Sequence, residues 1–396
     1  MRRATISRYA ASWRPSRLDA DEERSATSGL VSSDPREHRL AALRSSLSEN
    51  QIDALLVSAL PNVRYLSGFS GSAALLLVTH NELLLLTDFR YAIQADQEVG
   101  AVAQIIIEPT SLWSRLSSSL NQMKSLERIG FESANLSHAD FGRLAADQGK
   151  ASRRSWWPVV NLVEILRAQK DAGEITAIRE AVRIAEVALA RSVENLYSGM
   201  TELEIGGVLE RNLREAGSAT HPFEVIVATG ERSALPHAHC SSRNIAPGEW
   251  LLIDFGAVFK GYCSDITRTF VMGRASEEQK ELYTVVRESN AIASAGVRAG
   301  MRGRDADALS RDYIARQGWG AEFGHSLGHG IGLEVHEAPR LSRGTDAPLP
   351  QGAVVTIEPG IYRPGWGGVR IEDDVLLSAE GSQVLTTFSR DLLELG

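Results

Sequence analysis

The sequence predicts two domains: an α/β domain in the N-terminal half, then an α+β domain whose helices cover a curved antiparallel sheet. Three observations carry this. A chain of 396 residues exceeds one ordinary domain. In the first half, short apolar strand candidates alternate with helical segments. Beyond Asp171 a long amphipathic helix gives way to strand-rich segments with glycine-containing connections.

Each element has a local cause. Asp34-Pro35 reads as an N-cap followed by proline at the first helical position, and Leu40, Leu43 and Leu47 then mark an apolar helical face. Residues 52–57, 73–79 and 83–87 read as strands, the last two joined by the polar turn His80-Asn81. Further strands are expected at 104–108, 128–131 and 156–160, with helices near 112–124 and 137–148. A boundary falls in 162–171, giving an extension at 1–34, a first domain at 35–165 and a second at 166–396. Ile175, Ile178, Val182, Ala185, Leu189, Val193 and Leu196 recur at spacings of three and four, as one face of a long helix requires. Thr201 with Glu204 forms a capping box for the next helix, which Gly217 can close. Ser276 with Gln279 opens another, running toward Ile292.

Composition narrows the function. A formal net charge of -8 and a pI near 5.7 argue against nucleic-acid binding. Cys240 and Cys263 cannot build a disulfide framework, so a reduced, cytoplasmic setting is expected. No apolar run reaches membrane-spanning length, and the arginine-rich start lacks the apolar core of a secretory signal.

The chemistry concentrates in the second half. Leu251-Leu252-Ile253-Asp254 is an apolar strand ending in an acid, and Asp265 opens a second strand after a glycine-bracketed turn. A regular hairpin centred between Phe259 and Lys260 would set Asp254 opposite Asp265. The pattern recurs: 354–358 ends in Glu358, 369–372 starts the return, and Gly365 is the midpoint between Glu358 and Glu372. Two close carboxylates repel unless a cation lies between them. His329, flanked by Gly328 and Gly330, adds an imidazole. Four carboxylates balance two divalent cations, which points to a two-metal hydrolase. His237 and His336 are available as donors to a developing oxyanion. His221, His239 and His325 are read as bystanders.

The stretches Ala234-Leu235-Pro236-His237, Ile253-Asp254-Phe255-Gly256, Ser264-Asp265-Ile266-Thr267-Arg268-Thr269, Gly328-His329-Gly330-Ile331-Gly332, Val335-His336-Glu337, Glu358-Pro359-Gly360 and Arg370-Ile371-Glu372-Asp373 resemble the Xaa-Pro peptidases. That family contains prolidase and aminopeptidase P, and shares the pita-bread fold with methionine aminopeptidase and creatinase. Asn62 to Phe69 and Thr87 to Tyr91 resemble its creatinase-type N-terminal domain. The resemblance implies that Asp254, Asp265 and Glu372 hold one divalent metal, and that Asp265, His329, Glu358 and Glu372 hold a second. Thr267 and Thr356 would support the ligands by hydrogen bonds. Manganese is the expected ion, with cobalt or zinc as alternatives, and a homodimer is expected. Glu358 would carry the proton, with His336 and His237 at the oxyanion. Arg370 and Arg340 are candidates for a substrate carboxylate.

Two departures from the family pattern bear on substrate preference: Phe223 stands where some members have tyrosine, and Ala238 where glycine is common. The expected activity is hydrolysis of Xaa-Pro dipeptides. The alternatives are an aminopeptidase acting on longer Xaa-Pro peptides and, more distantly, a non-catalytic binding module of the same fold.

Overall fold

The structure, a computed structural model, describes residues 34–146 and 154–396. The expected extension lies outside the described residues except for Asp34, as do the last two positions of the helix expected at 137–148. The chain divides into two compact units between Arg167 and Ala168.

In the first unit, helix α1 (Pro35–Glu49) starts where Asp34 accepts a hydrogen bond from the Arg36 amide at 3.0 Å, with Pro35 in the first turn. The strands β1 (Ala54–Val57), β2 (Ala74–Thr79) and β3 (Leu83–Thr87) are buried along their whole length, which explains their unbroken apolar runs. Helix α2 (Leu60–Ser67), for which periodicity gave no signal, lies between β1 and β2 and ends at Gly68, whose φ is 84°. After α3 (Ala92–Val99) come β4 (Gln104–Ile107), α4 (Leu112–Gln122), β5 (Arg128–Glu132), α5 (His138–Ala146), β6 (Ser155–Val159) and α6 (Leu162–Arg167). The strands form one mixed sheet in the order β4-β3-β2-β1-β5-β6.

The second unit opens with α7 (Ala172–Val193), capped by Asp171 and Glu174. Ile178, Val182, Ala185, Leu189 and Val193 are its buried face. α8 (Glu202–Ala216) has the Thr201–Glu204 capping box and ends at Gly217, with φ 110°. The strands β7 (Ile226–Thr229), β8 (Trp250–Phe255), β9 (Val258–Phe259), β10 (Tyr262–Cys263) and β11 (Ile266–Met272) follow. Ser276 and Gln279 cap α9 (Glu277–Gly296). α10 (Gly303–Arg316), not anticipated, starts without a side-chain cap. The remaining strands are β12 (Gly328–Gly330), β13 (Glu337–Leu341), β14 (Val354–Ile357), β15 (Gly360–Arg363), β16 (Gly367–Arg370), β17 (Asp373–Leu377), β18 (Ser382–Val384) and β19 (Glu394–Leu395).

Hydrogen bonding divides these strands into a four-stranded sheet, β19-β11-β8-β7, a five-stranded sheet, β13-β12-β14-β17-β18, and the ribbons β9-β10 and β15-β16. All pairings in this unit are antiparallel except β11 with β19. The ladders break beside the candidate ligands: Asp265 precedes β11, Glu358 follows β14, and Glu372 sits between β16 and β17. The Glu372 amide donates to the Thr267 carbonyl at 3.1 Å and so ties the two sheets together across the break. Among the described residues, no helix is long and apolar enough to cross a membrane.

Candidate functional site

Asp254 and Asp265 do not face each other as expected. The register sets Asp254 opposite Thr267 and Phe255 opposite Ile266. The turn is centred one residue later than a simple midpoint suggests, on Lys260 and Gly261, whose φ values of 47° and 81° make a tight two-residue hairpin loop. Asp265 therefore lies beyond the β8–β11 ladder, on a diagonal from Asp254. Diagonal positions on one face stand about 7–8 Å apart, close enough to share a cation and far enough to ease repulsion. Gly256 permits this crossing, because a Cβ there would collide with the Ser264 carbonyl.

The second pair matches its expected register. Ile357 pairs with Asp373 and Gly360 with Arg370, so Glu358 stands across from Glu372 in the gap between the two ladders. Asn290 of α9 spans that gap. Its Nδ2 donates to the Ile357 carbonyl at 2.9 Å and to the Ile371 carbonyl at 3.1 Å, one residue before each glutamate. The buried Arg268 donates to the Glu372 carbonyl at 2.6 Å, the Thr267 carbonyl at 3.0 Å and the Asp373 carboxylate at 2.7 Å. Sequence reasoning missed both residues. The available signal was a fully buried-type spacing, Val286, Asn290, Ala293, with one polar member that needs internal partners.

Ligand atoms of Asp265, His329 and Glu372 all lie within 4.8 Å of one another. His329 Nε2 is 3.4 Å from Glu358 Oε1 and 3.8 Å from Asp265 Oδ2. Thr267 donates to Glu372 at 2.6 Å and Thr356 to Glu358 at 3.2 Å. The Thr356 hydroxyl also accepts from the His329 amide at 3.1 Å. Asp254 Oδ1 and Asp265 Oδ1 are buried with no hydrogen-bond partner among the described residues, which is how carboxylates shaped for a cation present themselves. Burial drives the carboxyls upward: Glu358 to about 8, and Asp265 and Glu372 well above their ordinary range, the last two further raised by neighbouring carboxylates. Burial also holds His329 near 4, so its imidazole is neutral and free to bind a metal. The oxygen-rich set with one imidazole fits divalent cations.

These groups line a cavity of about 410 Å³, together with His237, His336, Arg340, Arg370 and Phe223. The His336 ring lies 4.3 Å from that of His329, and burial lowers its pKa. Arg370 departs from expectation. It is 3 % exposed and its guanidinium serves Asp254 at 2.5 Å, Tyr362 Oη at 2.9 Å and Thr267 Oγ1 at 3.0 Å. It is an ion-pair partner of a candidate ligand rather than an open fork for substrate, because a buried arginine must be neutralised where it stands. Arg340 has the opposite character: exposed, with a guanidinium that makes no hydrogen bond or ion pair among the described residues. In the β12–β13 ladder it sits opposite His329. His325, taken as a bystander, also lines the cavity, and its Nε2 is 2.9 Å from Tyr362 Oη.

The pattern described as metallopeptidase family M24 matches residues 176–379, and that described as the creatinase/prolidase N-terminal domain matches 39–169. The Xaa-Pro dipeptidase of Pyrococcus horikoshii is 36% identical over 88% of this chain and 96% of its own. Among solved structures, the Xaa-Pro dipeptidase from Bacillus anthracis superposes with a TM-score of 0.87 at 39% identity, covering 91% of this chain and 100% of that one. The X-Pro aminopeptidase from Thermotoga maritima MSB8 gives a TM-score of 0.83 at 38% identity, covering 90% and 99%.

Proposed function

Because the chain belongs to metallopeptidase family M24 and carries a creatinase/prolidase N-terminal domain, we propose that it is a metal-dependent Xaa-Pro dipeptidase. The observation that carries the dipeptide reading is Arg340, an exposed arginine without a partner among the described residues, set opposite His329 and facing a cavity of about 410 Å³. A free prolyl carboxylate needs such a fork, and a longer peptide does not supply one at that position.

In this reading, residues 35–165 are the creatinase-like domain, 166–396 the catalytic domain and 1–34 an extension. Asp254, Asp265 and Glu372 would hold one divalent ion, and Asp265, His329, Glu358 and Glu372 a second. Ions bound there supply Lewis acidity toward the scissile carbonyl and toward water. The residues do the rest. Glu358, as the ionised carboxylate, takes the proton of the attacking water and hands it to the prolyl nitrogen. That nitrogen lacks an N–H in the substrate, so protonation is what lets it leave. His336, whose pKa burial lowers, donates to the oxyanion, with His237 on the same cavity. Thr267 and Thr356 hold the glutamates, and Arg370 holds Asp254. Phe223 lines the substrate side. Manganese as the working ion, a homodimeric state and a cytoplasmic location complete the proposal.

The similarity to an X-Pro aminopeptidase supports a second reading, cleavage of longer peptides. Steady-state turnover of Xaa-Pro against Xaa-Pro-Yaa, with manganese, cobalt and zinc in parallel, decides between them. Faster cleavage of the dipeptide is expected. Preference for the tripeptide would establish the aminopeptidase reading, and no cleavage with any ion would sink both.

A further inference from the structure

The cavity has two chemically different ends, and strand register sets which is which. Arg340 stands opposite His329, whereas Ile226 stands opposite Asp254. The segment preceding β7 therefore lies on the Asp254 side of the carboxylate cluster, and Arg340 on the His329 side. If Arg340 takes the prolyl carboxylate, as the dipeptidase reading on which this inference rests requires, the Xaa residue extends toward the 223–226 segment.

That wall is built from two stretches of chain, 223–226 and 236–239. Two contacts join them: Glu224 Oε2 lies 3.0 Å from His239 Nδ1, and Cys240 Sγ donates to the Val225 carbonyl at 3.2 Å. Phe223, Ile226 and Ala238 make the wall apolar. Glu224 and His239 stand at its solvent edge, with side chains 67% and 81% exposed. Among the described residues of these two stretches, Glu224 is the one carboxylate that lines the cavity, and neither stretch contains a lysine or an arginine. Of the arginines that line the cavity, Arg340 stands on the His329 side, whereas Arg370 lies on the Asp254 side, held by Asp254 at 2.5 Å and the Pro236 carbonyl at 3.3 Å.

We infer that Glu224, steadied by His239, selects the charge of the Xaa side chain. An Xaa side chain that crosses the apolar wall ends near Glu224. Lysine and arginine have an apolar stem and a cationic tip, which matches that order of surfaces. Aspartate and glutamate would put a carboxylate on the apolar wall and against Glu224. Both groups are solvent-exposed, so the preference is modest: an exposed charge pair changes kcat/KM by up to roughly fivefold. It weakens as salt shortens the range of the field.

The test compares kcat/KM for Lys-Pro, Leu-Pro and Glu-Pro with the manganese-loaded enzyme, native, E224Q and E224K, at low and high salt. The native enzyme is expected to favour Lys-Pro over Glu-Pro. That ratio should fall about fivefold in E224Q, invert in E224K, and shrink with salt in the native enzyme. A ratio that neither substitution changes overturns the inference. If dipeptides are not cleaved while Lys-Pro-Ala and Glu-Pro-Ala are, the dipeptidase reading falls, and the same ratio read on the tripeptides still decides the role of Glu224.

Discussion

Glu358 and Arg340 illustrate how differently two residues of one cavity are held. Glu358 is drawn by burial toward neutrality, with its carboxyl at about 8, and sits 3.4 Å from His329. The exchange E358Q keeps the shape and removes the base. It should lower kcat by about 10²–10⁴-fold, the usual contribution of a positioned proton carrier, with the fold intact by circular dichroism. D265N should lose activity together with bound metal, read as metal content after dialysis, because Asp265 contributes to the close ligand triad. Among the described residues nothing holds the Arg340 guanidinium, so R340A should leave stability unchanged. It should lower kcat/KM for Xaa-Pro by about 10–100-fold through one lost charge-assisted hydrogen bond, and spare substrates whose proline carboxyl is amidated. Residue types were readable in the sequence, because acids at the ends of apolar strands and a glycine-flanked histidine are locally unusual. What Arg370 does was not readable. Its partner Asp254 lies 116 positions away, and only the folded chain brings them to 2.5 Å.

Elements decide the angles between these residues. Asn290 joins α9 to the segments before Glu358 and Glu372 through two carbonyls. N290A orphans both. It should cost about 2–4 kcal/mol in chemical denaturation and loosen metal binding, since a buried acceptor left alone costs about 1–3 kcal/mol. A variant with native stability and native metal affinity would show that α9 does not brace the glutamates. A second brace runs from the start of α7: Lys170 Nζ lies 2.7 Å from Glu337 Oε1, with side chains 1% and 5% exposed, and Glu337 follows His336 directly. K170M alone should destabilise by about 3–5 kcal/mol, and K170M with E337M should recover most of that loss. Capped helices were legible from sequence because capping boxes are local. The Asp254–Asp265 register was not, because it depends on which two residues take positive φ in the turn, and Lys260 gives no signal that it will.

Over the whole molecule, the cluster couples folding, protons and metal. An acid raised by burial favours the protonated fold, so its contribution is full below its ordinary pKa and is lost as pH rises through the folded one. For Glu358 that window runs from 4.5 to about 8. His329, lowered from 6.5 to about 4, works oppositely: its contribution is full above 6.5 and is lost as pH falls. Between pH 6.5 and about 8 the acids therefore set the slope, and the chelated protein should lose stability as pH rises. Manganese must displace those protons, so the gain in Tm on adding it should be larger at pH 8 than at pH 6.5. Thermal unfolding with and without chelator checks this, and a chelated protein that grows more stable across that range would refute it. The sequence by itself pointed to many of the elements, though not to α2 or α10, and to two domains and the candidate ligands, because periodicity, caps and strand-terminal acids are local signals. Only the tertiary structure decided that the acids lie on a diagonal, that Arg370 is spent on Asp254 while Arg340 stays open, and that one wall of the cavity bears a lone carboxylate. Those facts depend on pairings between residues far apart in the chain, which exist only once burial has fixed the register of every strand.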